Sequence, residues 1–323
     1  MITPGDIVRE VEDAEHRIRP YIRKTKIIPS TIGGLREGNP LFLKLENEQY
    51  TGSFKARGGI NKVLSLNEAE RDRGVITAST GNHGMGVARA LGLTGVKGSI
   101  FLPNSASPVK IEKLKALNAQ LKFVDGTPLN TELYAKQIAK DSGAIWISPY
   151  NDPKIIGGQG TVALEIIKQM PGVRRIFITV GGGGFVSGVA SVIKNEDPTI
   201  DIIGCVPENS PEMYLSVQAG HIVHLEEEKD TLSDGSAGGA EDDSITFPLC
   251  AELIDDWVLV SEREIAEAMR AVYSEHDMVI EGSAGVAVAA CLKYGGETEQ
   301  DLVIVCGGNI EIGRFQEVVF GDV

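Results

Sequence analysis

Short runs rich in β-branched residues recur along the chain at 41–45, 75–78, 99–102, 121–124, 145–148, 175–180, 202–206, 257–260 and 302–305, and helix-period stretches fill most gaps between them. Strands joined through helices run parallel, because a parallel pair needs a long crossover, and a parallel sheet must be covered on both faces. The pattern therefore predicts an α/β fold whose ligands bind beyond the carboxyl ends of strands.

At 323 residues, 42% of them apolar, the chain is long enough for two domains. A net charge of −14 argues against nucleic-acid or anionic-membrane partners, which need a basic face. The acidic runs 226–228 and 241–243 read as solvated surface, and 226–244 as a loop that could cover a site. Cys205, Cys250, Cys291 and Cys306 lie far apart with no metal-ligand spacing, which suggests neither disulfides nor structural zinc. Asp6, Glu10, Glu12 and Asp13 stand where a signal peptide needs an apolar core, and the longest apolar run, 284–292, is too short to span a bilayer. The expectation is a cytoplasmic protein without a membrane partner.

Three glycine-rich segments sit where a strand passes into a helix. Gly181, Gly182, Gly183 and Gly184 follow the strand at 175–180 and precede a helical stretch opened by Phe185; such a turn exposes N–H groups at a positive helix end and suits a phosphate. A dinucleotide turn competes, with Asp201 at a distance suited to a ribose hydroxyl, but Val186 or Ser187 falls where that motif needs its third glycine. In Thr51-Gly-Ser-Phe-Lys-Ala-Arg-Gly-Gly59, Lys55 falls at a helix start, where the dipole and burial lower an amine's pKa as imine chemistry requires. Ala78-Ser-Thr-Gly-Asn-His-Gly84 offers backbone amides to a carboxylate and the Asn82 amide to a phenolate oxygen; His83 reads first as a structural loop histidine. A fourth segment, Val303-Ile-Val-Cys-Gly-Gly-Asn309, ends a strand in Cys306, either a core thiol or a weak donor facing a ring nitrogen.

In this order the four segments resemble the fold type II pyridoxal 5′-phosphate (PLP) enzymes, tryptophan synthase β-like in fold, and within them the serine/threonine dehydratase and serine racemase branch. The resemblance implies two domains, each with a largely parallel twisted sheet flanked by helices: 1–70 with 150–323 as the large PLP-binding domain and 71–149 as the small one. It implies that Lys55, preceded by Phe54, holds the cofactor, that Asn82 contacts its 3-oxygen, and that Gly181, Gly182, Gly183, Gly184 and Phe185 hold its phosphate. Gly235 of Asp234-Gly235 and Glu281 of Glu281-Gly-Ser-Ala-Gly285 join the cofactor set, with Glu281 behind the ring and Cys306 at the pyridine nitrogen. Ser79, Thr80, Gly81, Asn82 and His83 would receive the substrate carboxylate, and the Thr80 hydroxyl could act as acid/base on the opposite face.

The activity so implied is β-elimination from a β-hydroxy amino acid such as threonine or serine, giving a 2-oxo acid and ammonia. A neutral thiol at the ring nitrogen favours elimination over transamination, because it does not keep the pyridine protonated. Serine racemase, threo-3-hydroxyaspartate ammonia-lyase and a role in hydroxyectoine catabolism are alternatives on this scaffold; a dinucleotide-dependent oxidoreductase and a non-catalytic PLP-binding module are alternatives of other classes. Arg57 or Lys154 could pair with a second substrate carboxylate. A divalent or monovalent cation remains open through Glu208 and Glu212, since Val206 stands where several relatives carry an acidic ligand. No metal ligand is assigned. Relatives suggest a homodimer or homotetramer, and the short stretch after Asn309 leaves no room for a regulatory domain.

Overall fold

The computed structural model describes residues 2–32, 41–225, 227, 229–294 and 300–321. Among them the chain forms β1 (Ile27–Ser30), β2 (Leu41–Leu45), β3 (Val75–Ala78), β4 (Gly98–Pro103), β5 (Gln120–Val124), β6 (Ile145–Trp146), β7 (Arg175–Thr179), β8 (Asp201–Pro207), β9 (Asp256–Val260) and β10 (Asp301–Val305). One sheet has the order β1-β2-β10-β7-β8-β9 and the other β5-β4-β3-β6, and every pairing is parallel except β1 with β2. The expected α/β architecture with two largely parallel sheets is the one observed. Glu226 and Glu228 of the expected acidic run lie outside the described residues.

The differences are local. β1 escapes a reading of β-branched runs because Pro29 interrupts it, and it is tolerated because β1 lies at a sheet edge. β6 ends at Trp146, two residues earlier than its apolar pattern predicts. The apolar run 284–292 lies in a buried helix, Gly282–Tyr294, packed on the larger sheet. No helix among the described residues is long and apolar enough to cross a membrane.

Helix starts follow local chemistry. The Pro4–Ile18 helix opens with Pro4 behind a capping box of Thr3 and Asp6, and buries Ile7, Val11, Ala14 and Ile18 along one face. Asn67, Thr127, Asp152 and Ser261 cap four further helices in the same manner, each accepting from an N–H of the first turn.

A buried ionic cluster ties three elements together beneath the sheet. Arg57, fully enclosed in the Lys55–Leu64 helix, donates from Nε and Nη2 to Glu46 at 2.8 and 2.7 Å and from Nη1 to Glu165 at 2.9 Å. Lys44 of β2 reaches Glu165 at 2.6 Å, and Arg19 adds a contact at 2.9 Å. Burial alone would raise the Glu165 carboxyl, but Arg57 and Lys44 hold it down at about 2. Arg57 is therefore spent inside the fold and not available to a substrate carboxylate. Lys154, the other candidate, pairs with Glu10.

Removing one partner of such a cluster leaves uncompensated buried charge. Arg57→Ala is expected to lower unfolding stability by about 3–5 kcal/mol, read as a drop in the urea midpoint with little change in slope. A loss below about 1 kcal/mol would contradict the cluster's role.

Candidate active site

Lys55 opens its helix, as its spacing predicts, directly after Phe54. The helix approaches its neighbours through glycine: a Cβ on Gly59 would lie 2.7 Å from the Gly86 carbonyl carbon, and one on Gly58 would lie 2.9 Å from Ile155 O. Lys55 Nζ donates to Pro149 O at 2.7 Å. Burial lowers its ammonium pKa to about 8, against the opposing pull of Cys306 and Glu281. An amine that is largely neutral just above pH 8 is a competent nucleophile and base.

The turn after β3 places Ser79, Thr80 and Gly81 before the helix Asn82–Thr94. Gly84 is required there, since a Cβ would sit 2.3 Å from Ser79 O, whereas a Cβ on Gly81 would enter open space. His83 turns its ring away, with Nε2 3.0 Å from Thr77 Oγ1 and 3.2 Å from Ile147 O. Burial, reinforced by nearby Lys55, lowers its pKa to about 3, so the side chain is a neutral structural group and too weak a base for catalysis. Its backbone N–H remains at the helix start.

The glycines after β7 are each demanded by a neighbour. A Cβ on Gly181 would meet Ser236 O at 2.7 Å, on Gly182 the Tyr150 ring at 2.6 Å, and on Gly184 Tyr150 O at 2.8 Å, while Gly183 adopts φ +80°. Packing thus accounts for the run, and the anion argument rests on the backbone instead. The helices that begin at Lys55, Asn82 and Gly184 have no side-chain cap, a property they share with those that begin at Pro108, Glu212, Thr246 and Ile312. Their leading N–H groups have no side-chain acceptor, and a phosphate or a carboxylate suits such donors. The Phe185 ring stacks on Phe54, with centroids 3.9 Å apart, so its side chain braces the residue before Lys55.

Beyond β10, Cys306 is buried and its carbonyl accepts from Phe54 N at 3.2 Å. Burial pushes its thiol pKa well above the usual range, so it stays protonated and neutral. Glu281 accepts from Asn82 Nδ2 at 2.7 Å and from Asn309 N at 3.0 Å. Burial, with Asp234 nearby, raises it to about 7. A Cβ on Gly235 would lie 3.7 Å from Glu281 Oε1, which puts the Asp234-Gly235 turn beside the same carboxylate.

Lys55, Asn82, Cys306 and Glu281 therefore meet at one place from segments more than 200 residues apart, with the Gly181 turn linked to it through the Phe54–Phe185 stack. Sequence reasoning missed Pro149 and Tyr150, whose carbonyl and ring stand between Lys55 and the glycine turn. Their loop carries no motif. Of the expected 226–244 loop, Glu241 meets the Tyr150 segment: its N–H donates to Tyr150 Oη at 2.9 Å, and Asn151 Nδ2 reaches its Oε2 at 2.7 Å. The two acids suggested for a cation are engaged elsewhere, Glu212 with Ser210 Oγ at 2.7 Å and Glu208 with Lys293 at 3.8 Å.

Comparison with known proteins adds independent findings. The family described as pyridoxal-phosphate dependent enzyme matches residues 18–307. L-threonine ammonia-lyase of Thermotoga maritima is 37% identical over 315 residues, covering 97% of this chain and 78% of that protein. The structure of processed threonine deaminase isoform 2 from Solanum lycopersicum superposes with a TM-score of 0.92 at 31% identity, over 99% of this chain and 89% of the other. Maize serine racemase superposes with a TM-score of 0.89, also at 31% identity, over 97% and 96%.

The lowered Lys55 pKa makes a direct prediction. Mild modification with an aldehyde followed by borohydride is expected to label Lys55 ahead of the exposed lysines near pH 8, with labelling that falls as the pH drops below 8 and the amine becomes protonated. Peptide mass mapping reads the outcome. Labelling no faster than at surface lysines would overturn the assignment.

Proposed function

The chain belongs to the pyridoxal-phosphate dependent enzymes, and from that premise we propose that it is an ammonia-lyase converting a β-hydroxy amino acid, threonine or serine first, to a 2-oxo acid and ammonia. One observation carries the reading: a partly buried amine whose pKa burial lowers to about 8, at the start of a helix that, like those at Asn82 and Gly184, lacks a side-chain cap. The donor set fits the cofactor's anionic, aromatic character.

When bound, PLP supplies a carbonyl that takes up the substrate amine and a ring that withdraws electrons from the Cα–H bond. The remaining work falls to the protein. Lys55 takes and holds the Cα proton at Nζ, with the Pro149 carbonyl orienting it. The amide row from Ser79 through His83 holds the substrate carboxylate, and the glycine turn with the Gly184 helix start holds the phosphate. Gly235 and Glu281 would line the cofactor, and Asn82 would donate to its 3-oxygen. Cys306, kept as a neutral thiol by burial, would face the ring nitrogen without protonating it, which favours loss of the β-hydroxyl. In the same reading, residues 1–70 with 150–323 form the large domain and 71–149 the small one, and the chain assembles as a homodimer or homotetramer in the cytoplasm.

A second reading, serine racemisation, is favoured by Thr80, a hydroxyl within the carboxylate-binding row, and by the similarity to serine racemase. Both readings are separated by one set of assays. Protein incubated with PLP is expected to show a visible absorption band that Lys55→Ala removes, and to release a 2-oxo acid from L-threonine or L-serine. D-serine formed from L-serine and lost in Thr80→Ala would support the racemase reading. Absence of the band in wild-type protein would overturn both. Light scattering is expected to return two or four times the 34.5 kDa chain mass.

A further inference from the structure

Asn82, Asn309 and Glu281 form a hydrogen-bonded chain whose direction is set at both ends. Asn309 Nδ2 donates to Thr51 O at 2.7 Å and to Asn82 Oδ1 at 2.7 Å. A backbone carbonyl can only accept, so Asn309 must turn its NH2 toward Thr51. Its Oδ1 then faces Lys113 Nζ, a group without an acceptor, at 3.4 Å. With Asn309 held in this sense, Asn82 meets it through Oδ1 and turns its own NH2 to Glu281 Oε1 at 2.7 Å. Glu281 Oε2 is occupied by the Asn309 backbone N–H. Reversing either amide would set donor against donor and acceptor against acceptor in a partly buried site beside the enclosed Glu281 carboxylate, where each mismatch is costly.

The backbone reinforces this arrangement. Gly52 has φ +74°, and a Cβ there would lie 2.9 Å from both Asn309 Nδ2 and Oδ1, so the amide lies flat against a residue that must be glycine. Glu281 is 4% exposed, which keeps water from competing for its oxygens.

The Asn82 oxygen is therefore spent, and of its two N–H groups one goes to Glu281. What Asn82 has left is a single donor. An oxygen placed beside it is stabilised as an anion, whereas a hydroxyl would find no acceptor in that amide. We propose that Asn309 and Glu281 are positioning residues that hold Asn82 as a donor only, so that the site selects the deprotonated ring oxygen of PLP. This rests on the role proposed for Asn82 above.

Two near-isosteric variants reverse the chain without emptying it. Glu281→Gln places an NH2 where an N–H now arrives, and Asn309→Asp places an oxygen against Thr51 O and Asn82 Oδ1. Apo-protein titrated with PLP is expected to bind about tenfold more weakly in each, the size of one lost charge-assisted hydrogen bond, with the visible band moved to shorter wavelength. The 3-deoxy analogue of PLP, which lacks the ring oxygen, is expected to bind wild type about tenfold more weakly than PLP and the variants no more weakly than wild type. That analogue separates a positioning role from general damage and needs no variant for its first comparison. Equal losses for PLP and the analogue, or unchanged PLP affinity and band position in both variants, would overturn the inference. No band in wild-type protein would overturn the cofactor reading itself, and the inference with it.

Discussion

Arg57 is fully enclosed, with Glu46 fork-to-fork on one side and Glu165 on the other, and the position of the reactive amine depends on that clamp. Arg57 lies two residues beyond Lys55 on the same short helix, so fixing its guanidinium fixes the rotation of the first turn about the helix axis. Glu46 follows β2, and Glu165 comes from the Pro153–Gln169 helix. One ion cluster thus locks strand, Lys55–Leu64 helix and crossover helix into register. Lys44, Arg19 and Glu15 bring the assembly to three cations and three carboxylates, which is why it can be buried at all.

Close backbone approach is the second constraint. Gly59 lies on Gly86, Gly158 on Arg57 O and Gly188 on Gly160, each within distances that exclude a Cβ. These contacts draw four helices together, with the Pro153–Gln169 helix packed against those that begin at Lys55 and Gly184. The helices that begin at Lys55, Asn82 and Gly184 lack side-chain caps. Their first N–H groups have no side-chain acceptor, whereas the helices that begin at Pro4, Glu68, Pro128 and Glu262 keep Thr3, Asn67, Thr127 and Ser261 as caps.

The cleft's electrostatics follow from burial more than from pairing. Burial moves Lys55 down to about 8, Glu281 up to about 7 and His83 down to about 3, and in each case it is the leading cause. The result is an amine near neutrality, a carboxylate held by two amides, and a histidine that cannot act as a base. A histidine beside an asparagine in a glycine turn looks equally fit for catalysis on paper; only its ring direction, toward Ile147 O and Thr77, separates the two fates.

Strand and helix order, the parallel α/β class and the candidate residues Lys55, Asn82, Glu281 and Cys306 were legible in the sequence, because periodicity and turn chemistry are local properties of the chain. β1 was not, since Pro29 disrupts its pattern and only its edge position makes it a strand. Arg57 offered itself to a substrate and proved to be structural, because a charge carries no local sign of whether its partners lie inside the fold. Tyr150 and Pro149 have no motif that announces them, and Asn309 closes the Cys306-Gly-Gly-Asn309 segment without any sign there of its partners; their roles arise from carbonyls and amides brought together from distant segments. By itself the sequence determined which segments could carry chemistry. The direction of each side chain, the pKa shifts and the one-way amide chain were decided by tertiary structure alone, since burial and hydrogen-bond partners exist only after residues far apart in the chain are packed together.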